Sequence, residues 1–218
     1  MTFRVLTASI PKVKTRSIVF SVLADKSKGM VPDLVVVILD ASNLKRNLLL
    51  YTQVADLKIP VVVALNMVDV SDKAGIKINI DLFAQKLGVP VVPISARKNT
   101  GIDKLKSTIA FANSVPLQQD TIDIESIAPG IIAQIKGEMQ VENPYIALQL
   151  AHQHETLSYL SAAESDRIEQ LEQEHSFHSQ KAQATETIAR YNFINDLLYD
   201  TVKKAETAHD RNHKQQDR

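Results

Sequence analysis

An unbroken apolar run at residues 61–65 constrains the fold of this chain more than any other stretch. The run follows Pro60, contains no polar alternation, and gives way to two polar residues, Asn66 and Asp69. Such a run is typical of a strand that is buried on both faces of a parallel sheet. Because ligands bind beyond the carboxyl ends of the strands in an open parallel sheet, we predict that Asn66 and Asp69 lie at a ligand site.

Two other apolar runs predict further strands of the same sheet. One covers residues 34–39, and the other covers residues 89–94 and leads directly into the sequence Ser-Ala-Arg at 95–97. A helical segment separates the first of these strands from the apolar run described above, and a strand–helix–strand order predicts parallel strands. Asn66 and Ser95 are therefore predicted to lie at the same end of the sheet.

Three helices are predicted from capping residues that are followed by apolar residues at helical spacing, and a short strand is predicted at 76–78. Asn43 is the predicted N-cap of the first helix, and Asp81 is that of the second. Thr100 and Asp103 have the form of a capping box at the start of the third. The residues predicted to face the core are Leu44, Leu48, Tyr51, Ala55, Leu82, Phe83, Leu87, Ile102, Leu105, Ile109 and Ala112.

The composition divides the chain into two main parts. Residues 1–15 are predicted to be an atypical, irregular lead-in, and residues 16–113 an α/β unit that begins with a helix. Residues 114–130 lose periodicity and contain two prolines, which is typical of a linker. Residues 131–218 contain no convincing strand and are rich in Gln, Glu, Ala and His. They are predicted to form a helical domain with a polar tail.

Two signals define the helices of this second part. Asn143 followed by Pro144 is a strong helix start, because proline is tolerated in the first turn, where its missing N–H is not needed. In the last segment, apolar residues at helical spacing form one stripe that must be buried against a neighbour. We predict helices over residues 131–206, with the stripe in the core. The stripe consists of Ile188, Tyr191, Ile194, Leu198 and Val202.

The charge balance and the absence of cysteine narrow the possible functions. The 218 residues include 25 basic and 25 acidic side chains, which gives no electrostatic case for a nucleic-acid partner or an anionic membrane. Without cysteine, disulfides, thiolate metal sites and cysteine nucleophiles are ruled out, and this fits a reducing cytoplasm. Every apolar run is far shorter than the ~20 residues that span a bilayer. We therefore expect a soluble, cytoplasmic chain.

The polar residues at the strand ends have the chemistry of a guanine site. The two oxygens of Asp69 can accept parallel hydrogen bonds from the ring N–H and the exocyclic amine of guanine, a pair that adenine does not offer. Asn66 can bind the neighbouring loop and the base, and the Ala96 N–H can face the guanine oxygen. The alternative is that Asn66 and Asp69 only cap the following helix. The companion sequence Ser95-Ala96-Arg97 favours the site.

Other residues are weaker candidates for a nucleotide or metal site, and a structural role explains them equally well or better. Asn43, Arg46 and Asn47 could line the nucleotide side of the sheet, but helix capping and solvent exposure explain them equally well. A set of histidines and glutamates could ligate a metal, but a solvated helix face is favoured because no fixed third ligand is evident. This set comprises Glu172, Glu174, His175 and His178, and the same argument applies to His209 and His213 in the tail.

The motifs at 66–69 and 95–97 resemble the guanine-specificity motifs of translation-factor-type GTPases. Four surrounding runs resemble the cytosolic G domain of one family, the bacterial ferrous-iron transporter FeoB: PDLVVVILDASNLKRNLLL, IPVVVALNMVDV, GIKINID and GVPVVPISARK. Met67, where most GTPases carry lysine, is usual in that family. The sequence ARYNFI at 189–194 resembles the last helix of its helical spacer domain, and the likeness extends over roughly residues 16–210.

This resemblance implies a partial, P-loop-GTPase-like (Rossmann-like) parallel sheet with helices, followed by an all-α helical domain. It also implies GTP or GDP as ligand and a family role in GTP-dependent iron uptake at the cytoplasmic face of the bacterial inner membrane. The implied partners are the FeoB membrane domain, which is missing here, or other transporter subunits. The implied base-binding residues are Asn66, Met67, Asp69, Ser95, Ala96 and Arg97, with Ser95 and Arg97 shaping the loop.

The sequence departs from the family pattern at its beginning. It contains no Gly-Lys-Ser/Thr loop to hold phosphates and Mg²⁺, and no Asp-x-x-Gly motif before Asp33. We therefore expect a chain truncated at both ends, which has no Mg²⁺ site, binds GTP weakly and does not hydrolyse it alone. The alternative is an interaction module that works without nucleotide, or a non-functional remnant.

Overall fold

The computed structural model describes residues 4–7, 32–111 and 120–204. In chain order the strands and α-helices of these residues are β1 (Arg4–Thr7), β2 (Val35–Asp40), α1 (Leu44–Asp56), β3 (Val61–Asn66), α2 (Val68–Lys73), β4 (Ile76–Ile78), α3 (Ile80–Leu87), β5 (Val91–Pro93), α4 (Ile102–Ala110), α5 (Pro129–Glu138), α6 (Pro144–Gln153), α7 (Ala162–Glu174), α8 (Ser179–Thr201) and β6 (Val202–Lys204). Two short 3₁₀ helices lie at Glu125–Ile127 and His154–Thr156. The predicted helix after residue 16, Ala112, the first residues of the predicted linker and the polar tail lie outside the described residues.

A four-stranded parallel sheet in the order β1-β2-β3-β5 confirms the predicted parallel strands. In its register, Asp40 is opposite Asn66, so the polar ends of β2 and β3 lie side by side. Strand β5 is at the edge of the sheet, which explains why it tolerates Pro90 and Pro93. The prediction of an irregular lead-in over residues 1–15 is wrong for the residues of β1. This strand gains its backbone partners from β2, which its own short sequence does not reveal.

The alternating residues of the central strands fill two separate hydrophobic clusters. On one face, Val35, Val37 and Leu39 of β2 pack in a cluster that includes side chains of α1 and α3. On the other face, Val36 and Val62 pack in a smaller cluster against apolar residues of α4. Helices therefore cover both faces, which is why these strands lack polar alternation.

The helical part of the chain shares the larger cluster with the sheet. Ile132, Ile135 and Leu148 are buried in the same cluster as the strands. Of the predicted stripe on α8, Ile194 is buried as expected and Tyr191 and Leu198 are half-buried, but Ile188 is 63% exposed. The stripe prediction is therefore wrong at Ile188. The face that α8 buries instead consists of Ala182, Glu186, Arg190, Ile194, Leu197 and Thr201.

The end of α8 runs into a strand, which corrects the prediction of helices as far as residue 206. Strand β6 pairs antiparallel with β4, in a register that places Ile78 opposite Val202. The Asn79 N–H donates to the Thr201 carbonyl at 2.8 Å, which fixes the switch from helix to strand. The short strand predicted at 76–78 is confirmed. Its partner lies more than 120 residues away in sequence, beyond the reach of local patterns.

A buried ionic cluster joins α1 to α8. Arg190 is fully buried, with its Nη1 2.7 Å from Asp56 Oδ2 and its Nε donating to Glu186 Oε1 at 2.8 Å. The Thr121 hydroxyl donates to Asp56 Oδ1 at 3.1 Å. The guanidinium also lies 5.0 Å from the centre of the Tyr145 ring. The cluster thus pairs opposite charges where the two parts of the chain meet, while the buried Nη2 of Arg190 makes no hydrogen bond to any described residue.

The helix caps only partly follow the sequence-based predictions. Asn143 caps α6 as predicted, but the Asn43 side chain makes no capping bond to α1. The cap of α3 is Asn79, not Asp81, because its side chain accepts from the Leu82 N–H. The predicted capping box at Thr100 is wrong, since Gly101 holds the N-cap position of α4. The backbone of Thr100 pairs with Ser95 instead.

Replacing Asn143 with alanine is expected to lower the free energy of unfolding by about 2 kcal/mol, at the upper end for the loss of an N-cap. Its Oδ1 accepts from the N–H groups of Tyr145 and Ile146 at 2.8 and 3.2 Å. Its Nδ2 donates to the Asp56 carbonyl at 2.8 Å, which ties α6 to the end of α1. Urea unfolding of the full chain measures the loss.

Two other N-cap asparagines provide matched controls. Asn79→Ala removes a single capping bond and is expected to cost about 1 kcal/mol. Asn43→Ala removes a side chain that makes no capping bond, so only a few tenths of a kcal/mol are expected. Equal losses for all three variants would contradict the ranking.

Candidate functional site

A hydrogen bond joins the two predicted motifs at the carboxyl end of the sheet. Asn66 is the last residue of β3, and its Oδ1 accepts from the Ala96 N–H at 3.1 Å. Ser95 follows β5, whose neighbour in the sheet is β3. The prediction that Asn66 and Ser95 lie at the same end of the sheet is therefore confirmed. The Ala96 N–H is therefore bonded within the protein.

The segment from Ser95 to Thr100 is a closed loop. The N–H of Ser95 donates to the Thr100 carbonyl at 3.0 Å, and the N–H of Thr100 donates back at 3.1 Å. Inside the loop, the Lys98 N–H donates to the Ser95 carbonyl at 3.1 Å, and Asn99 has φ of 55°. Ser95 itself is buried. The loop thus holds Ala96, Arg97 and Lys98 at fixed backbone positions beside β3.

A left-handed residue places Asp69 in the first turn of a helix directly after the strand. Met67 has φ of 62° and its carbonyl accepts from the N–H groups of Val70 and Ser71, so α2 begins without a connecting loop. The Met67 side chain is 42% exposed. The carboxylate of Asp69 lies at the helix N-terminus, where its negative charge is favoured.

Cations of the closed loop surround the Asp69 carboxylate. Its Oδ2 is 2.9 Å from Lys98 Nζ and 3.3 Å from Arg97 Nη2. The hydrogen bond from Lys98 is the main cause that lowers the pKa of Asp69 to about 2, with Ser95 and Arg97 contributing and partial burial opposing. The carboxylate is therefore charged at neutral pH and presents only acceptors.

Lys98 was not among the predicted site residues, although it follows them directly in the sequence. A lysine after the motif Ser-Ala-Arg reads as an exposed loop residue, and Lys98 is indeed half-exposed. Only the closure of the loop, which brings residue 98 back toward α2, reveals its contact with Asp69. Arg97, which was predicted to shape the loop, contacts the same carboxylate.

Asn43, Arg46 and Asn47, which the sequence left open, have different surroundings. Asn47 is buried, with its Nδ2 donating to the Asn43 carbonyl at 2.9 Å and its Oδ1 accepting from the Asp40 N–H at 3.3 Å. These bonds give Asn47 a structural role in the turn after β2. Asn43 and Arg46 line a shallow depression together with Tyr191 of α8.

The histidines considered as metal ligands have other contacts. His175 Nε2 lies 2.7 Å from Gln134 Oε1, and His178 occupies the N-cap position of α8. In residues 32–111 and 120–204, no group of three or more His, Asp or Glu side chains is arranged to hold a metal ion. His209 and His213 lie outside the described residues.

Sequence comparison shows that part of the chain is similar to ferrous iron transport proteins. The family model of ferrous iron transport protein B matches residues 14–109. The Fe(2+) transporter FeoB of Escherichia coli (strain K12) is 47% identical over 77 residues, which are 35% of this chain and 10% of the transporter. The match thus covers about a tenth of the length of this relative.

Solved structures extend the likeness to most of the chain. The cytosolic domain of L. pneumophila FeoB is 26% identical with a TM-score of 0.66, and the match covers 83% of this chain and 72% of that one. The mGMPPNP-bound NFeoB structure from S. thermophilus is 31% identical with a TM-score of 0.61, and the match covers 85% of this chain and 72% of that one. The predicted α/β, P-loop-GTPase-like fold class is confirmed. The chain belongs to the ferrous iron transport protein B (FeoB) family and corresponds to part of its cytosolic region.

Proposed function

We propose that this chain is the guanine-recognising part of the cytosolic region of a ferrous-iron transporter. In the full-length protein it would serve GTP-dependent iron uptake, at the cytoplasmic face of the bacterial inner membrane, with the FeoB membrane domain or other transporter subunits as partners. Asn66, Asp69 and Ala96 contact the base, and Ser95 and Arg97 shape the loop around it. We assign the Met67 side chain, which is exposed, to the rim of the base site.

The observation that carries this proposal is the meeting of two motifs at the carboxyl end of the sheet. The bond from the Ala96 N–H to Asn66 Oδ1 brings the closed loop beside β3, and Asp69 presents an ionised carboxylate there. The two carboxylate oxygens match the ring N–H and exocyclic amine of guanine. When guanine binds, its oxygen competes with Asn66 Oδ1 for the Ala96 N–H.

We further propose that the 218-residue chain alone binds GTP weakly and does not hydrolyse it. Most of the charge stabilisation in GTP hydrolysis comes from a phosphate-binding loop, its lysine and Mg²⁺. The sequence of this chain contains no Gly-Lys-Ser/Thr loop. A few hydrogen bonds to the base leave roughly millimolar affinity after the entropic cost of association.

Replacing Asp69 with asparagine is expected to abolish the preference for guanine and to weaken guanine binding by roughly tenfold or more, because it turns one acceptor into a donor that faces the guanine amine. The same change creates a donor–acceptor pair that matches the N–H and carbonyl of xanthine. Calorimetry with GDP, ADP and xanthosine diphosphate on the full chain compares the three bases at equal charge.

Asp72→Asn is the matched control, since Asp72 lies on the same helix α2 and is exposed. This variant is expected to keep the preference for GDP over ADP. Equal binding of GDP and ADP by the unsubstituted chain would instead favour an interaction module that works without nucleotide. Micromolar GTP binding, or magnesium-dependent hydrolysis by the pure chain, would contradict the proposal of weak binding.

A further inference from the structure

Two side chains of the protein contact the carboxylate that is proposed to bind the base. Lys98 Nζ and Arg97 Nη2 both lie within 3.3 Å of the same carboxylate oxygen, Oδ2 of Asp69. A guanine that uses both carboxylate oxygens needs Oδ2 as well. Since a carboxylate oxygen has two lone pairs, two cationic donors on Oδ2 leave no acceptor position on that atom for the base.

The ion pair between Lys98 and Asp69 can dissociate without a change in the backbone. The Asp69 side chain is only 15% exposed, whereas that of Lys98 is 48% exposed. The long lysine side chain can therefore turn its ammonium group into water while the carboxylate stays in place. Ion pairs of this kind gain little net free energy, because solvent competes for the cation. A ligand that offers two matched donors can replace it.

Because of the closed loop, Lys98 and not Arg97 makes the main contact with Asp69 Oδ2. The Lys98 N–H is bonded to the Ser95 carbonyl, so its side chain starts from a fixed backbone position beside the carboxylate. Its Nζ makes the shorter contact, 2.9 Å against 3.3 Å for Arg97. The Arg97 side chain is 73% exposed and more loosely attached.

We propose that Lys98 competes internally with guanine for Asp69, and that it sets how tightly this site holds the base. The proposal rests on the proposed function above. Lys98 neutralises the carboxylate and covers its Oδ2. Guanine offers two matched donors and displaces the ammonium group, whereas adenine does not offer the donor pair that Asp69 accepts. Lys98 thus sets the affinity of the site for guanine, and it acts through Asp69.

Two variants separate the role of Lys98 from a general effect of charge. Lys98→Met keeps most of the aliphatic stem and removes the ammonium group. Lys104→Met removes the same charge from an exposed position of α4. In the full chain, NMR titration of the Asp69 carboxyl carbon is expected to show a clear rise of its pKa in Lys98→Met and little change in Lys104→Met. An unchanged Asp69 pKa in Lys98→Met would overturn the proposal, because the pair would then not exist in solution.

Guanosine is the probe for the competition itself, because it is uncharged and any direct attraction between Lys98 and phosphate is avoided. The Ala96 amide signal reports its binding in NMR spectra of the full chain. Lys98→Met is expected to bind guanosine roughly three- to tenfold more tightly than the unsubstituted chain, and Lys104→Met to bind it equally. Adenosine binding is expected to stay unchanged.

The outcomes distinguish this proposal from the proposed function. Equal or weaker guanosine binding by Lys98→Met, with binding that Asp69→Asn abolishes, would overturn the competition and leave the guanine site intact. No guanosine binding by any of the proteins would overturn both. Tighter binding of adenosine as well as guanosine would also contradict a competition at Asp69, because adenine lacks the donor pair that Asp69 accepts.

Discussion

Replacing Arg190 with methionine is expected to lower the free energy of unfolding by about 3–5 kcal/mol, because the change leaves buried carboxylates without their cation. Arg190 is fully buried, and Asp56 and Glu186 are 2% and 1% exposed. Its contact of 2.7 Å to Asp56 connects α8 with α1, and its contact of 2.8 Å to Glu186 lies within α8. Methionine fills much of the same volume, so the loss reports the charges and not a cavity. Urea unfolding measures it.

Arg167 is the matched control for this experiment. It also contacts two carboxylates, Glu138 at 2.7 Å and Glu174 at 3.0 Å, but its side chain is one-third exposed. Because solvent and salt screen such pairs, Arg167→Met is expected to have only a small effect. A loss for Arg190→Met no larger than that for Arg167→Met would contradict the assigned role of the buried cluster.

A compensated variant identifies the cause of the loss. When Arg190→Met is combined with Asp56→Asn and Glu186→Gln, no unpaired charge remains in the cluster. Since the removal of a whole buried ion cluster is often close to neutral, we expect this triple variant to recover about 2 kcal/mol or more of the loss. No recovery would indicate that the shape of Arg190, not its charge, holds α1 against α8.

The sheet could be predicted from the sequence because its central strands are marked locally. The run at 61–65 has no polar residue, and both faces of β3 are indeed covered by helices. The same locality made the meeting of Asn66 and Ser95 predictable: Asn66 ends β3, Ser95 follows β5, and the carboxyl ends of neighbouring parallel strands lie at one end of the sheet. The bond between Asn66 and Ala96 follows from that geometry.

The features that the sequence did not reveal depend on contacts between distant residues. Glu186 and Arg190 read as an exposed ion pair four residues apart on a helix, and only the packing of α8 against Asp56 buries them. Strand β6 depends on a partner in a distant part of the chain. Lys98 lies close to Asp69 only because the loop after β5 is closed. In each case the local pattern is compatible with a solvated surface.

Gly101 lies between the closed loop of residues 95–100 and α4. Gly101→Ala is therefore expected to change both the free energy of unfolding and the base site. Gly101 has φ of 77°, and an added Cβ would lie 2.3 Å from the Pro93 carbonyl oxygen and 3.1 Å from Ile94 Cγ2. The strain of a left-handed alanine adds to this overlap with rigid backbone, so we expect a loss of about 3 kcal/mol or more in the free energy of unfolding. Urea unfolding measures this loss.

Gly88→Ala provides the control, because Gly88 has a similar φ of 68° but no atom lies within 4 Å of its added Cβ. This variant is expected to lose only the conformational part of the free energy of unfolding, about 1–2 kcal/mol, and to keep the base site.

In Gly101→Ala the backbone beside β5 must shift, and the Ser95–Thr100 pairing next to it shifts as well. The Ala96 N–H then moves away from Asn66, so guanosine binding followed at the Ala96 amide is expected to weaken in Gly101→Ala alone. Equal losses of stability in the two variants would show that backbone strain alone, not the contact with Pro93, determines the cost.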